Sequence, residues 1–270
     1  PVLSKGNMVL LESTSPVGTT DKLVNLIESQ RPDLMISGGD DPDINVCYCP
    51  ERILPGNTIF ELENNDRIIG GVTKKCADRA KKLYRLFVKG QCFITDARTA
   101  ELAKLTENAY RDVNIAFANE LSMLCDNQGI DVWELINLAN RHPRVDILTP
   151  GPGVGGHCIA VDPLFIVAQD SDTAKLIAEA RRTNDRKTDW VVSKITTEVA
   201  GLRNVDSNLL TVCFLGLSFK ANVGDVRNSP ALAIIKRCTK LDINIVVVDP
   251  HVEKSPLNAR NLMKVEGLEN

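Results

Sequence analysis

The feature that most restricts the fold is the segment 98–127, which contains neither glycine nor proline. Thr95 or Asp96 can cap its start, and Gly129 stands where a left-handed residue commonly ends a helix. About 30 residues at 1.5 Å each give a rod of roughly 45 Å, which is long enough to span two domains. The segment therefore predicts one long central helix.

Apolar runs alternate with helical patterns on both sides of this helix. The N-terminal part predicts strands at 8–11, 44–49, 67–69 and 91–95 and helices at 19–29 and 74–87. The C-terminal part predicts a second long helix at 173–200, strands at 209–215 and 245–248, and a helix capped by Ser229 with Pro230 at its first position. This order predicts an α/β fold with doubly wound parallel sheets. Ligands bind beyond the carboxyl ends of such strands, where Thr14 and Glu51 fall.

Composition narrows the class of protein. A net charge of −3 and a pI near 5.7 give no basic field for nucleic acid. No signal peptide and no run of 18 apolar residues is visible, so a cytoplasmic location is the default expectation. The eight cysteines, without regular short spacing, are expected to be reduced thiols, and only three histidines make a zinc site improbable. We divide the chain into domains at 1–96, 97–203 and 204–270.

A glycine-rich segment at 151–163 contains Cys158 and, four positions later, Asp162. Glycines let the chain take positive φ and let a ligand approach bare backbone N–H groups, as at Gly155. A thiolate surrounded by such donors is stabilised as a nucleophile. The alternative is an ordinary surface loop in which Cys158 is a small buried apolar residue.

The same segment matches the G-x-G-x-x-G pattern through Gly151, Gly153 and Gly156. That fingerprint binds a dinucleotide only between a strand and a helix. The preceding segment 140–150 has two prolines and no strand-like run, so we reject a dinucleotide site here.

Two further groups carry candidate polar chemistry. Lys104, Asn108 and Arg111 share one face of the long helix, either as functional groups among apolar neighbours or as a solvated charged stripe. The long 217–228 loop contains Phe219, Lys220, Asp225 and Arg227. Two cations and an aromatic ring at a strand–helix loop suit a nucleotide diphosphate, and a solvated loop is the alternative.

Several linked motifs resemble the UDP-glucose/GDP-mannose dehydrogenase family, over nearly the whole chain. They are ESTSPVG at 12–18, CPERILPG at 49–56, KLTEN at 104–108, NRHPR at 140–144, the cysteine segment, and FLGLSFK at 214–220. The resemblance is strongest to members that act on UDP-N-acetyl-D-mannosamine. It implies a four-electron oxidation of the sugar C6 alcohol to a carboxylate with two NAD in succession, for cell-surface polysaccharide precursors, by a homodimer joined through the long helix.

The resemblance also implies a role for each matching residue. Cys158 would form a thiohemiacetal and then a thioester, and Lys104 and Asn108 would stabilise the substrate oxygen. Asp162 would help set thiol protonation or organise a water, while Thr14 and Glu51 would border the cofactor and the water. Lys220 and Phe219 would hold the UDP end. Arg52 and Arg111 would contact the sugar or the diphosphate. His142 and Arg144 would contact the substrate across the dimer interface, and Arg227 would contact the cofactor pyrophosphate.

The sequence departs from the family pattern in two ways. Glucose-type members carry a second glutamate four residues after Glu51, where Pro55 stands, so thioester hydrolysis cannot be copied from them unchanged. The family's N-terminal G-x-G-x-x-G unit is also missing, and the last domain stops soon after its second strand. We therefore expect residues 1–270 alone to bind NAD very weakly, to show no turnover and to self-associate. A nucleotide-sugar-binding fragment without catalysis, and the same chemistry on another UDP-hexose, stay open as alternatives.

Overall fold

The structure, a computed structural model, describes residues 2–36, 39, 41–53, 57–203 and 210–252. It contains two compact units, Pro1–Glu107 and Asn108–Asn270. Their boundary lies inside the long helix, and the division into three domains at 96/97 and 203/204 stays a prediction. The α/β class is confirmed. Within the described ranges no helix is both long and apolar enough to cross a membrane.

The first unit contains a four-stranded sheet in the order β1 (Met8–Leu11), β2 (Asn45–Tyr48), β3 (Arg67–Gly71) and β4 (Cys92–Asp96). β1 pairs with β2, and β3 with β4, in parallel as expected. β2 and β3 pair antiparallel, so the prediction of parallel pairing is wrong for this ladder. The chain re-enters the sheet at the edge where β2 ends, and the described residues of the connection contain one short helix, α2 (Thr58–Asn64), in place of a long crossover helix.

Helices cover both faces of this sheet. α1 (Thr19–Gln30) contributes Val24 and Ile27 to a core with Val46 on one face, and α3 (Lys74–Tyr84) packs on the other. Every residue of β2 is buried, as expected for a strand covered on both sides.

The long helix is confirmed as α4 (Ala97–Gln128), 32 residues in length. Asp96 caps its start, because its Oδ1 atom accepts the Thr99 N–H at 2.9 Å. Gly129 follows its end with φ at 67°, a left-handed conformation that glycine adopts without steric cost.

The second unit contains the rest of α4 and α5 (Val132–Ala139), α6 (Asp162–Gln169), α7 (Lys175–Arg203), β5 (Thr211–Leu215), α8 (Pro230–Cys238) and β6 (Asn244–Val248). β5 and β6 pair in parallel. The cap predicted for α8 is confirmed, since the Ser229 Oγ atom accepts the Leu232 N–H at 3.4 Å. The sequence pattern does not identify α5 and α6, because eight residues give little more than two turns of periodicity.

A buried polar cluster joins α4 to α7. The Oδ1 atom of Asp112, which is fully buried, accepts the Arg181 Nη1 atom at 2.6 Å and the Asn184 Nδ2 atom at 2.7 Å. Its Oδ2 atom has no hydrogen-bond partner among the described residues. Burial raises the pKa of Asp112 to about 6, against the opposing effects of Arg181 and Asn184.

This raised pKa predicts a specific pH dependence of stability. The pKa of the Asp112 carboxyl is about 6 in the folded protein and 3.8 ordinarily, so the folded protein binds this proton more tightly than the unfolded chain does. The stability gained from this tighter binding is complete below pH 3.8. The contribution is lost as the pH rises through about 6. We expect the free energy of unfolding of the wild type, relative to Asp112→Asn, to fall between about pH 4 and pH 6 and to level off above. Urea unfolding across this range checks the prediction, and parallel curves for the two proteins would contradict it.

Candidate active site

The glycine-rich segment that carries Cys158, here called the cysteine loop (residues 150–161), is fixed at its start and its middle. At the start, the Gly151 N–H donates to the Asn119 Oδ1 atom at 2.8 Å, and the Thr188 hydroxyl donates to the Pro152 carbonyl at 2.9 Å. In the middle, the Gly156 N–H donates to the Arg227 carbonyl at 3.0 Å. The loop is therefore held both by the α4–α7 pair and by the loop that follows β5.

The glycines of this loop are required by close packing. A Cβ atom on Gly155 would lie 2.6 Å from the carbonyl oxygen of Asn228, and one on Gly156 would lie 2.9 Å from the Phe219 ring. Gly156 also has φ at 87°. No strand occurs in the described segment 129–161, which agrees with the rejection of a dinucleotide fingerprint there. The glycines therefore let the backbone of the cysteine loop pack closely against the Phe219 side chain and the Asn228 carbonyl of the loop after β5.

Substitution of Gly156 tests this packing. We expect Gly156→Ala to lower the free energy of unfolding by about 2–4 kcal/mol, because a left-handed alanine is strained and its methyl group meets the Phe219 ring. Gly129→Ala is the matched control, since Gly129 is also left-handed but a Cβ atom there meets nothing within 4 Å. The control should lose only about 1–2 kcal/mol. Equal losses in thermal or urea unfolding would show that the Phe219 contact is unimportant.

Cys158 is exposed, unlike six of the other seven cysteines, and none of the eight forms a disulfide bond in the structure. The alternative of a small buried apolar residue is therefore wrong. The Cys158 carbonyl accepts the N–H of Asp162 at 2.8 Å and that of Val161 at 3.0 Å. This turn places the thiol-bearing residue directly before the first turn of α6.

Asp162 is the buried carboxylate of the site, with 3% of its surface exposed. Its Oδ2 atom accepts the Asn108 Nδ2 atom at 2.5 Å. Its position in the first turn of α6 also suits a negative charge, because unpaired N–H groups give a helix start a partial positive charge. The structure thus brings three of the expected residues together: Cys158, Asp162 and Asn108.

The loop after β5 is ordered by its own hydrogen bonds. The Phe219 N–H donates to the Asp225 carbonyl at 3.1 Å, and the Asp249 carboxylate accepts the Leu217 N–H at 2.7 Å. Burial acts to raise the pKa of Asp249, but hydrogen bonds from the N–H groups of Leu217, His251 and Ser218 outweigh it and lower the pKa. The loop is thus not simply solvated. Phe219 lies against Gly156 of the cysteine loop, and Lys220, the next residue, is exposed.

Arg227 forms an ion pair with Asp225 at 2.6 Å. Asp225 chiefly, and Cys158 to a smaller degree, raise the pKa of Arg227. The Arg227 carbonyl also accepts the Gly156 N–H, so this residue lies where the β5 loop meets the cysteine loop. The resemblance predicts that Arg227 contacts the cofactor pyrophosphate. The pyrophosphate would then have to share the Arg227 guanidinium with Asp225.

The site residues of the first unit lie at the carboxyl edge of the parallel pair β1 and β2. The Glu51 N–H donates to the Glu12 carbonyl at 3.2 Å, so the segment with Thr14 and the segment with Glu51 leave the sheet side by side. The Glu51 carboxylate lies 3.4 Å from the guanidinium of Arg67. Arg52 pairs with Glu107 at 2.9 Å. Pro55, where a second glutamate is absent, lies outside the described residues.

The other expected residues are more exposed. Lys104 is half-buried, not fully buried as its apolar neighbours suggest, and Arg111 is exposed. His142 and Arg144 are exposed after α5, and the Arg144 N–H donates to the His142 Nδ1 atom at 3.3 Å. Within the described part of the chain, neither side chain hydrogen-bonds to the cysteine loop.

Sequence reasoning misses two polar features of α4. Glu101 is fully buried, and its carboxylate accepts hydrogen bonds from the N–H groups of Gly18 at 2.6 Å and Thr20 at 2.7 Å, which fixes the start of α1 to α4. The second feature is the Asp112 cluster with Asn119. The local signal is spacing alone, which does not identify the partners: the polar residues share one helical face of α4 with buried apolar ones, namely Ala97, Glu101, Leu105, Ala109, Asp112, Ala116 and Asn119.

Three domain models of one family match the chain. They are the NAD binding domain at residues 1–88, the central domain at 98–186 and the UDP binding domain at 213–269 of the UDP-glucose/GDP-mannose dehydrogenase family. The chain is 54% identical over 259 residues to an NDP-N-acetyl-D-galactosaminuronic acid dehydrogenase of Ralstonia nicotianae, covering 95% of this chain and 60% of that protein. It is 52% identical over 276 residues to the UDP-N-acetyl-D-mannosamine dehydrogenase of Escherichia coli K12, covering 100% of this chain and 66% of that protein.

Solved structures agree with these matches. A UDP-D-ManNAc dehydrogenase from Pyrococcus horikoshii superposes with a TM-score of 0.84 at 42% identity, covering 93% of this chain and 59% of that one. A UDP-N-acetyl-mannosamine dehydrogenase from Staphylococcus aureus gives 0.83 at 46% identity, covering 94% and 59%. The chain spans 60 to 66% of the length of the two sequence relatives. With all three domain models matched in order along it, the chain belongs to the UDP-glucose/GDP-mannose dehydrogenase family.

Proposed function

We propose that this chain carries the nucleophile and much of the substrate site of an NAD-dependent UDP-sugar 6-dehydrogenase. The substrate is UDP-N-acetyl-D-mannosamine, and the product is UDP-N-acetyl-D-mannosaminuronate for cell-surface polysaccharides. The observation that carries the proposal is the exposed Cys158 on a loop fixed against the Phe219 loop and beside the Asp162–Asn108 pair. The names of the relatives support the choice of sugar.

The chain's own groups account for the covalent steps. The Cys158 thiolate adds to the C6 aldehyde, which forms a carbon–sulfur bond and leaves a negative oxygen on that carbon. Lys104 and Asn108 stabilise this oxygen by charge and hydrogen bonding. After the second oxidation the same carbon is a thioester, and water attacks it to give the carboxylate and return the thiol. Asp162 sets thiol protonation or orients the water.

NAD, when bound, supplies the hydride acceptor for both oxidations. The carboxyl edge of β1 and β2 fits this role, because ligands of open α/β sheets lie beyond such ends. Thr14 and Glu51 would border the nicotinamide there. The start of α1 does not serve as the phosphate site, since Glu101 already accepts its N–H groups. Arg227 is the proposed contact to the pyrophosphate.

The remaining assignments follow the same pattern. Phe219 and Lys220 hold the UDP end, with Gly155 giving close approach to the cysteine loop. Arg52 and Arg111 reach the sugar or diphosphate. The protein is a cytoplasmic homodimer whose subunits meet through α4. In this dimer, His142 and Arg144 contact the substrate bound to the partner subunit. The domains remain 1–96 for NAD, 97–203 for the centre and 204–270 for UDP.

The test uses the protein with residues 1–270 and whatever flanking sequence its gene encodes. Adding NAD and UDP-N-acetyl-D-mannosamine should release two NADH for each uronate, measured by absorbance and mass spectrometry. UDP-sugar binding without NADH would establish the non-catalytic alternative. UDP-N-acetylgalactosamine is the second candidate substrate, because the relative from Ralstonia is named for an N-acetylgalactosaminuronic acid. A higher kcat/KM on that sugar would replace our choice.

The two lysines should have separable roles. Lys220→Ala should weaken UDP binding by about 10-fold, because a charge-assisted phosphate contact acts equally in the ground and transition states. Lys104→Ala should instead lower kcat by about 100-fold with little change in UDP affinity, since its charge matters most when the substrate oxygen becomes anionic. Calorimetry with UDP and steady-state kinetics separate the two effects. Unchanged UDP affinity in the Lys220 variant would remove the β5 loop from the site.

A further inference from the structure

A continuous line of hydrogen bonds, buried up to its last member, runs from the α4–α7 pair to the start of the cysteine loop. Arg181 and Asn184 donate to Asp112, the Asn119 Nδ2 atom donates to the Asn184 Oδ1 atom at 2.9 Å, and Gly151 donates to Asn119. Asp112, Asn119 and Asn184 are fully buried, and Arg181 is 6% exposed. We call these four side chains the amide relay.

The relay has one possible direction. A carboxylate only accepts hydrogen bonds, so Asn184 must turn its NH₂ group toward Asp112 and its oxygen toward Asn119. Asn119 must then donate through its own NH₂ group, which leaves its oxygen facing the Gly151 N–H. That N–H only donates, so both ends of the relay impose the same orientation. Reversing either amide would set donor against donor in a buried place.

Joining two helices does not require this arrangement. Apolar side chains of similar volume would pack α4 against α7 without desolvating a carboxylate and a guanidinium. They would not supply an acceptor for the half-buried Gly151 N–H, which would then lose its fixed partner in the protein. We infer that the polar side chains of the amide relay are there to hold the cysteine loop at Gly151.

The start of the loop is also the part that α7 packs against. Thr188 donates to the Pro152 carbonyl, and a Cβ atom on Gly153 would lie 2.5 Å from its hydroxyl oxygen. Gly153 has φ at 143°. A shift of Gly151 would alter this fit and pass along the loop to Cys158.

We propose that Asn119 is a positioning residue for Cys158: Asp112, through Asn184, orients the Asn119 amide, which fixes Gly151 and thereby sets the place of the thiol. The inference rests on the proposed role of Cys158 as the nucleophile. Asn119 itself touches no reacting atom and acts only through the loop.

The experiment compares three variants of the whole enzyme. Asn119→Leu removes the acceptor for Gly151, and Asp112→Asn keeps the volume but removes the group that sets the direction of the relay. Cys125→Ala is the matched control, because Cys125 is buried on the same helix, 3% exposed, and is not part of the relay. Each variant is measured for kcat, for KM with the UDP-sugar, for thermal stability and for the alkylation rate of Cys158 by iodoacetamide.

We expect Asn119→Leu to lower kcat by about 10- to 100-fold, since a misplacement of about 1 Å can have that effect. KM should change by less than about threefold, because the UDP end is held by the β5 loop. The Cys158 alkylation rate should change at least about threefold, and Asp112→Asn should act in the same direction. The control should lose stability without either change.

Two outcomes would overturn the proposal. One is an unchanged kcat and alkylation rate in both relay variants, or in Asp112→Asn if Asn119→Leu does not fold. The other is an equal loss in Cys125→Ala at matched stability, which would make the effect one of general stability. Alkylation needs no substrate, so a wild type without UDP-sugar oxidation would refute the proposed function while this arm still tests the relay.

Discussion

Cys158→Ser should abolish formation of the uronate, with a loss in kcat of at least about 10³-fold. A serine hydroxyl is far less ionised than a thiol near neutral pH, so the bond from residue 158 to the C6 aldehyde does not form efficiently. Binding of the UDP-sugar should change by less than about threefold, because the thiol contributes to the reaction and not to the grip on UDP.

The control for this change is Cys213→Ser, since Cys213 is exposed on β5, outside the cysteine loop. It should keep nearly full activity. Steady-state kinetics, calorimetry with the UDP-sugar and mass spectrometry of the trapped enzyme are the measurements. A covalent sugar adduct should appear in the wild type and not in the serine variant. Near-normal uronate production by Cys158→Ser would refute the covalent mechanism.

The regular elements of this fold are well predicted from the sequence because they are local. The absence of glycine and proline between 98 and 127, with Asp96 before and Gly129 after, is enough to define α4 within a residue or two. The direction of β3 is not predictable in this way. Apolar alternation is the same in either direction, and the connection through α2 decides it.

The candidate site likewise contains residues that local sequence predicts and residues that depend on distant contacts. Cys158 and Asp162 stand four positions apart, so they are close in the chain whatever the fold, and the turn before α6 joins them through the Asp162 N–H and the Cys158 carbonyl. Asn108 joins them from a distant part of the sequence, and only the resemblance indicates it. Glu101 and Asn119 read as ordinary polar positions on a long helix. Their burial depends on partners at Gly18, Thr20 and Gly151, which no local pattern reveals.

Asp162→Asn should lower kcat by about 100-fold or more while the protein still folds. The substitution preserves shape, and an asparagine oxygen can still accept from Asn108. The negative charge beside the Cys158 turn is lost, so the thiol proton or the attacking water is no longer controlled. Asp146→Asn is the control, because Asp146 is exposed in the segment that leads to the cysteine loop. Equal kcat values for the two variants would exclude a role for the charge of Asp162.

Asn108→Asp tests the same contact from the other side. It places a second carboxyl group about 2.5 Å from the Asp162 oxygen, and two carboxylates that close share a proton, which raises the pKa of one of them. While the proton is shared, the new carboxyl group donates to Asp162 as the Asn108 amide does. Once it is lost, the charges repel. The ratio of kcat in this variant to kcat in the wild type should therefore fall as the pH rises from about 6 to about 9. A ratio that is flat or increases with pH would show that Asn108 and Asp162 are not in contact in the working enzyme.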